Sequence, residues 1–213
     1  MSSEERKARE SIVAIGRSLY QRGLSYGSAG NLSVRLGDRF LMTPTNVALG
    51  ALEPKRLSLL DSSGKLITGD PPTKEALLHL AIYETRPNVK AVVHLHSTYA
   101  VALSCLSEVS PDDVLPALTP YYVMRVGRLV LVPYYPPGEP ALAHAVRERA
   151  QISSALLLAN HGPVVGGTSL EAAAHAAEEL EESAKLFLLL RREKVRPLSQ
   201  EEVENLRARY PQP

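Results

Sequence analysis

Residues 90–106, KAVVHLHSTYAVALSCL, set the frame for the whole chain. Ala91 to His96 is a β-branched run with two imidazoles at alternate positions, and apolar helical spacing takes over through ALSCL. A buried strand running straight into a helix is the grammar of an α/β protein. Residues i and i+2 of a strand share a face, so His94 and His96 can reach one ion together. A third ligand must come from elsewhere in the chain. His161 is the candidate, because it closes the apolar run of LLLANHGP beside a glycine and a proline, a position at a sheet rim. Three neutral imidazoles with an open position are a standard catalytic arrangement for zinc or a similar ion. An H-x-H pair alone is a weak signal, since two histidines on a strand are often structural. The remaining histidines read differently. His144 and His175 sit among alanines and charges in helical stretches, as surface residues, while His79 lies four residues after Glu75 on one helix face, as a packing group or a support to the site.

The surrounding elements follow from periodicity and punctuation. Residues 3–22 read as a helix stopped by Gly23. LSVRL and RFLMT form a hairpin around GDR, and SLLDSSGKLIT repeats that pattern. Residues 73–86 read as a helix with Thr73 as N-cap and Glu75 on its first turn. LVLVPYY, SALLLAN and PVVGG are further strands; EPALAHAVRERA, residues 169–193 and SQEEVENLRARY are further helices. Strands joined by hairpins and covered by helices predict a three-layer α/β/α sandwich with a mostly antiparallel central sheet, formed by residues 1–213 as one domain. The acidic run Glu178, Glu179, Glu181 and Glu182 reads as a solvated helix face.

Bulk properties narrow the classes of function. A net charge of +1 gives no basic field for nucleic acid. No apolar run approaches the ~20 residues of a membrane span, and the charged opening MSSEERKARESIVAIG lacks the apolar core of a signal peptide. One cysteine, Cys105, excludes an internal disulfide and suits a reducing compartment, so a cytoplasmic protein is expected.

Three polar loops suit an anion. GSAGNLS, residues 27–33, offers Ser28, Gly30 and Asn31; TPTN offers Thr43 and Thr45; Thr73 and Lys74 stand at a predicted helix start, where free N–H groups favour phosphate. Glu75, beside a possible metal, suits a general acid or base or a labile ligand, although a first-turn glutamate also stabilises a helix by itself. Tyr121 and Tyr122 are either packing residues or, for one of them, a source of a phenolic proton.

SAGNLS, TPT, GDPPTKE, AVVHLHS and ANHGPVV occur in the order seen in the class II aldolase and adducin-head family, which the chain resembles over about residues 11–190. The resemblance implies a lyase with one divalent ion per subunit, zinc foremost and manganese or cobalt as alternatives, held by His94, His96 and His161. It implies Glu75 as the acid–base residue, with Ser28, Asn31, Thr45 and Thr73 as phosphate contacts, and a homotetramer with sites between subunits. Stretches such as KEALLHLAIY and TPYYVMRVGRLVLVPYYPPG resemble the decarboxylase members, which implies loss of carbon dioxide from a 3-oxo-tetronate 4-phosphate to leave dihydroxyacetone phosphate. Phospho-sugar aldolase and ribulose-phosphate epimerase chemistry share the enediolate and are the alternatives; a metal-free adducin-like scaffold is the remaining one. Asn46 departs from the family pattern, standing where a glycine commonly follows TPT, which puts a backbone phosphate contact there in doubt.

Overall fold

The structure, a computed structural model, describes residues 2–213. Helix α1 (Ser3–Gln21) is followed by β1 (Asn31–Leu36), β2 (Arg39–Met42), two short 3-10 turns, β3 (Ser58–Leu60) and β4 (Leu66–Thr68). Then come α2 (Ala76–Thr85), β5 (Ala91–His94), α3 (Thr98–Ser104), α4 (Pro120–Arg125) and β6 (Leu129–Val132). The chain ends with α5 (Pro140–Ala150), β7 (Ala155–Leu158), β8 (Gly162–Gly167), α6 (Leu170–Leu190) and α7 (Gln200–Arg209). The eight strands form one sheet in the order β4-β3-β2-β1-β5-β8-β7-β6. Every pairing is antiparallel except β6 with β7, so the sheet is mixed with an antiparallel majority, as the hairpin signals predict.

Strand alternation splits the core into two layers. Ala91 and Val93 join one apolar cluster with α1, α3, α4 and α6, while Val92 joins another with α2 and α5. Two buried faces explain why β5 and β7 read as continuous apolar runs. β1 differs: Leu32 and Leu36 enter the first cluster, whereas Asn31 and Ser33 on its other face are also buried. Its polar alternation points towards α2, not water.

Helix α2 begins later than its sequence suggests. Pro71 and Pro72 keep the preceding chain extended, and the Thr73 N–H donates to the Thr43 carbonyl, so Thr73 is laced to the TPTN segment instead of capping a helix. Glu75 occupies the N-cap position but makes no capping bond. Its side chain is used elsewhere. Helix α4 was not anticipated, although Thr119 as N-cap and Pro120 at the first helical position are its signal.

Glu181 corrects the reading of the acidic run on α6. It is buried, and its carboxylate accepts from the N–H groups of Tyr99 and Ala100 at 2.9 and 2.8 Å. It thereby satisfies the first turn of α3, which follows directly on His96. Charge-assisted bonds contribute about 1.5–3 kcal/mol each. Glu181→Ala is therefore expected to cost about 3 kcal/mol in urea denaturation, whereas Glu182→Ala, on the exposed face, should cost less than about 0.5 kcal/mol; equal small losses would refute the cap.

Candidate metal centre

The antiparallel pairing of β1, β5 and β8 brings the site together. Asn31 lies opposite His94, and His94 lies opposite Val164. His96 follows two residues beyond His94, past the end of β5, and His161 sits in the tight turn between β7 and β8. That turn closes tightly because Asn160 adopts φ 56 and Gly162 approaches β5 so nearly that an added Cβ would lie 2.5 Å from the Leu95 carbonyl oxygen. Glu75 reaches the same point from the start of α2.

The four side chains converge. His94 and His96 Nε2 are 3.0 Å apart, and His161 Nε2 is 3.2 Å from His96 Nε2. Glu75 Oε2 is 3.2 Å from His94 Nε2, and Oε1 is 3.4 Å from His161 Nε2. One ligand atom from each residue lies within 4.8 Å of every other. His94 Nδ1–H donates to the Pro163 carbonyl at 2.9 Å, so its Nε2 faces the cluster and offers a lone pair there whenever the ring is neutral. Glu75 Oε1 is buried without a hydrogen-bond partner.

Electrostatics agree with the geometry. Burial, reinforced by His94, pushes His96 and His161 down to about 4. Burial opposes ionisation of Glu75, but attraction to His94 and the bond with it outweigh that and hold the carboxyl well below its usual range. For the same reason His94, despite its burial, is raised by Glu75.

Converging imidazole lone pairs beside an unpartnered carboxylate oxygen call for a cation. Three nitrogens bonded to one tetrahedral ion at about 2.0–2.1 Å stand roughly 3.3 Å apart, close to the spacing here. His94, His96 and His161 are thus fitted to hold a divalent ion, with Glu75 adjacent.

The expected anion-binding residues are placed unequally. Ser28 is exposed in the loop before β1, where Gly30 has φ 78. Asn31 is buried, and its amide is occupied: Nδ2 donates to Glu75 Oε2 at 2.8 Å while Oδ1 faces His79. The Thr43 hydroxyl accepts from the Leu32 N–H at 3.2 Å. Thr45, through its N–H to the Pro71 carbonyl, ties TPTN to the segment before α2. Asn46 has φ 58, so it adopts the left-handed conformation expected of the glycine it replaces, one that asparagine tolerates better than most residues. Several of the N–H groups expected to be free at this helix start are taken: Thr73 N–H bonds the Thr43 carbonyl, Glu75 N–H the Thr73 hydroxyl and Ala76 N–H the Thr73 carbonyl. Lys74 is exposed at the rim.

Tyr121 is not brought to the cluster by its own chain. It is exposed on α4, in the helical layer across the sheet from α2, while Tyr122 is buried and donates to Asp113. His144 and His175 are exposed, as expected. His79 is fully buried and contacts Asn31 and Ser33.

Fold and site together define an α/β/α protein with a centre built for a divalent cation. Residues 10–188 match the Class II Aldolase and Adducin N-terminal domain family, and the chain belongs to it. The chain is 53% identical over 202 residues to a 3-oxo-tetronate 4-phosphate decarboxylase of Haemophilus influenzae, covering 94% of this chain and 96% of that one. It is 37% identical to an L-fuculose phosphate aldolase of Methanococcus maripaludis, covering 84% of this chain and 95% of that one. The crystal structure of YgbL from Escherichia coli superposes with a TM-score of 0.93 at 48% identity, covering 96% of this chain and 100% of that one.

Two measurements test the centre. Elemental analysis should find about one divalent ion per chain, lost in His94→Ala and His161→Ala and retained in His144→Ala; retention in all three variants would refute the assignment. Metal-free protein should also lose stability in acid. His79, His96 and His161 stay neutral in the folded chain down to about 3, 4 and 4, while unfolded imidazole protonates near 6.5. Between about pH 6.5 and 4 the unfolded state binds more protons, so stability falls with pH. The urea midpoint should drop from pH 7 to pH 5; an unchanged midpoint would refute neutral burial.

Proposed function

We propose that the protein is a divalent-metal-dependent lyase that converts a 3-oxo-tetronate 4-phosphate to dihydroxyacetone phosphate and carbon dioxide. The observation that carries a lyase reading is the set of three converging imidazoles beside Glu75 Oε1, a buried carboxylate oxygen with no partner. The choice of reaction is supported by five relatives bearing the decarboxylase name at 49–53% identity, against 36–37% for the L-fuculose phosphate aldolases.

An ion at the three histidines, zinc foremost, would supply Lewis-acid polarisation of a substrate carbonyl. Breaking the C1–C2 bond of a 3-oxo acid releases carbon dioxide and leaves its electron pair at C2, which must then gain a proton. Glu75 is ionised at neutral pH and Oε1 is free, so it can take up a proton and return it to C2. Asn31 holds Oε2, leaving Oε1 as the working oxygen. For the phosphate, Ser28, Thr45, Thr73, Lys74 and the backbone at Gly30 and Asn46 are the available donors, because the Asn31 amide is tied to Glu75 and His79 and the Thr43 side chain is enclosed in the fold. Fixing the phosphate converts binding energy into orientation.

We assign the protein to the cytoplasm and to a homotetramer in which exposed Tyr121 can serve a neighbouring subunit's site. A net charge of +1 and the absence, among the described residues, of a helix long and apolar enough to cross a membrane support a small-molecule substrate over nucleic acid or lipid.

The metal-loaded protein should release carbon dioxide from 3-oxo-tetronate 4-phosphate faster than it cleaves fuculose 1-phosphate or epimerises ribulose 5-phosphate. Glu75→Gln should lower kcat about 10²–10⁴-fold, the usual worth of a general acid or base. Preferred cleavage of fuculose 1-phosphate would transfer the assignment to the aldolases.

A further inference from the structure

Behind Glu75 runs a buried polar ladder that metal binding does not require. Asn31 and Ser33 lie on one face of β1, while Glu75, His79 and Tyr83 recur every fourth residue along α2. Two strand residues advance about 6.6–6.8 Å and four helical residues about 6 Å, so the two sets mesh as rungs. The Tyr83 hydroxyl is 2.8 Å from Ser33 Oγ, which is 2.7 Å from His79 Nδ1. His79 Nε2 is 2.5 Å from Asn31 Oδ1, and Asn31 Nδ2 is 2.8 Å from Glu75 Oε2. All five residues are buried, His79 and Ser33 completely. Arg35, next on the same face of β1, lies 5.0 Å over the Tyr83 ring and closes the far end.

Hydrogen-bond accounting gives this ladder one direction. An ionised Glu75 only accepts, so Asn31 must present its N–H groups to Oε2 and its carbonyl to His79. His79 Nε2 must then carry the proton. Burial keeps the imidazole neutral, so Nδ1 has a lone pair that accepts from the Ser33 hydroxyl. Ser33 Oγ in turn accepts from the Tyr83 hydroxyl. Each member donates one step nearer the carboxylate.

We propose that His79 is a positioning residue for the acid–base carboxylate, its Nε2–H tautomer locking the Asn31 amide so that Glu75 Oε2 is tied and Oε1 is left free. This rests on the reading of Glu75 as the acid–base group. Without the Nε2–H donor the buried Asn31 carbonyl loses its partner and the amide is held only through its bond to Glu75, so Oε2 is tied less firmly and Oε1 is less well placed.

The test combines kinetics with spectroscopy on the zinc-loaded protein. His79→Leu should lower kcat about 10–100-fold, the range for groups that orient a site from behind. KM should stay within about twofold and bound zinc at the wild-type ratio. His79→Gln, which restores an amide N–H donor, should recover most of kcat. Nitrogen-15 NMR of histidine-labelled protein at pH 7.5 should assign His79 to the neutral Nε2–H tautomer with and without zinc. Wild-type kcat in His79→Leu, loss of zinc from that variant, or an Nδ1–H tautomer would each overturn the proposal. If the leucine variant does not fold, the glutamine variant and the tautomer still decide. Absence of decarboxylation by the wild type would fail the functional reading alone, because the tautomer is measured independently of turnover.

Discussion

Everything at this site depends on the registration of three neighbouring strands. Asn31 on β1 stands opposite His94 on β5, and His94 stands opposite Val164 on β8. A slip of one residue between β1 and β5 would turn Asn31 and Ser33 into the apolar layer and bring Leu32 and Val34 against α2. The polar face of β1 would then lose its partners, and buried amide and hydroxyl groups without partners are costly. The apolar layers and the polar ladder therefore enforce one register, and that register aligns the imidazoles.

The site is an electrostatic compromise. Burying Glu75 opposes its ionisation, and burying three imidazoles opposes their protonation, yet the carboxylate and His94 stabilise charge in each other. A cation held by the three imidazoles would take over the role of positive charge at His94. Neighbouring contacts hold the backbone that carries these groups. His94 Nδ1 is tied to Pro163, Glu181 holds the helix after His96, and Gly162 lets β8 approach β5. Rigid backbone around a set of lone pairs is what preorganisation requires.

Much of this was legible in the chain itself. β-branched runs, Gly and Pro punctuation and helical spacing gave the layers, most of the elements and the antiparallel majority, because burial on two faces imposes those patterns wherever it occurs. The three histidines were legible from strand geometry, a sheet-rim position and ordered motifs. Less legible were features whose cause lies far along the chain. The late start of α2 reflects the bond from Thr73 N–H to the Thr43 carbonyl, and Glu181 looked solvated because its N–H partners lie some 80 residues earlier. α4 was missed although its cap and proline were in view.

Sequence by itself determined the fold class and the family and singled out three histidines as candidate ligands for a cation, since residue type, local spacing and the order of motifs are sufficient for those. Tertiary structure alone decided what each side chain is free to do. Asn31 and Thr43 read as phosphate ligands until packing occupied them, Asn46 lost its apparent defect once its φ was known, and Tyr121 fell on the far layer. His79 was sharpened most, from a packing group or a support to the site to the middle rung behind Glu75. The reason is physical: a polar group's role is set by which partner consumes its donors and acceptors, and those partners are brought together only by long-range folding.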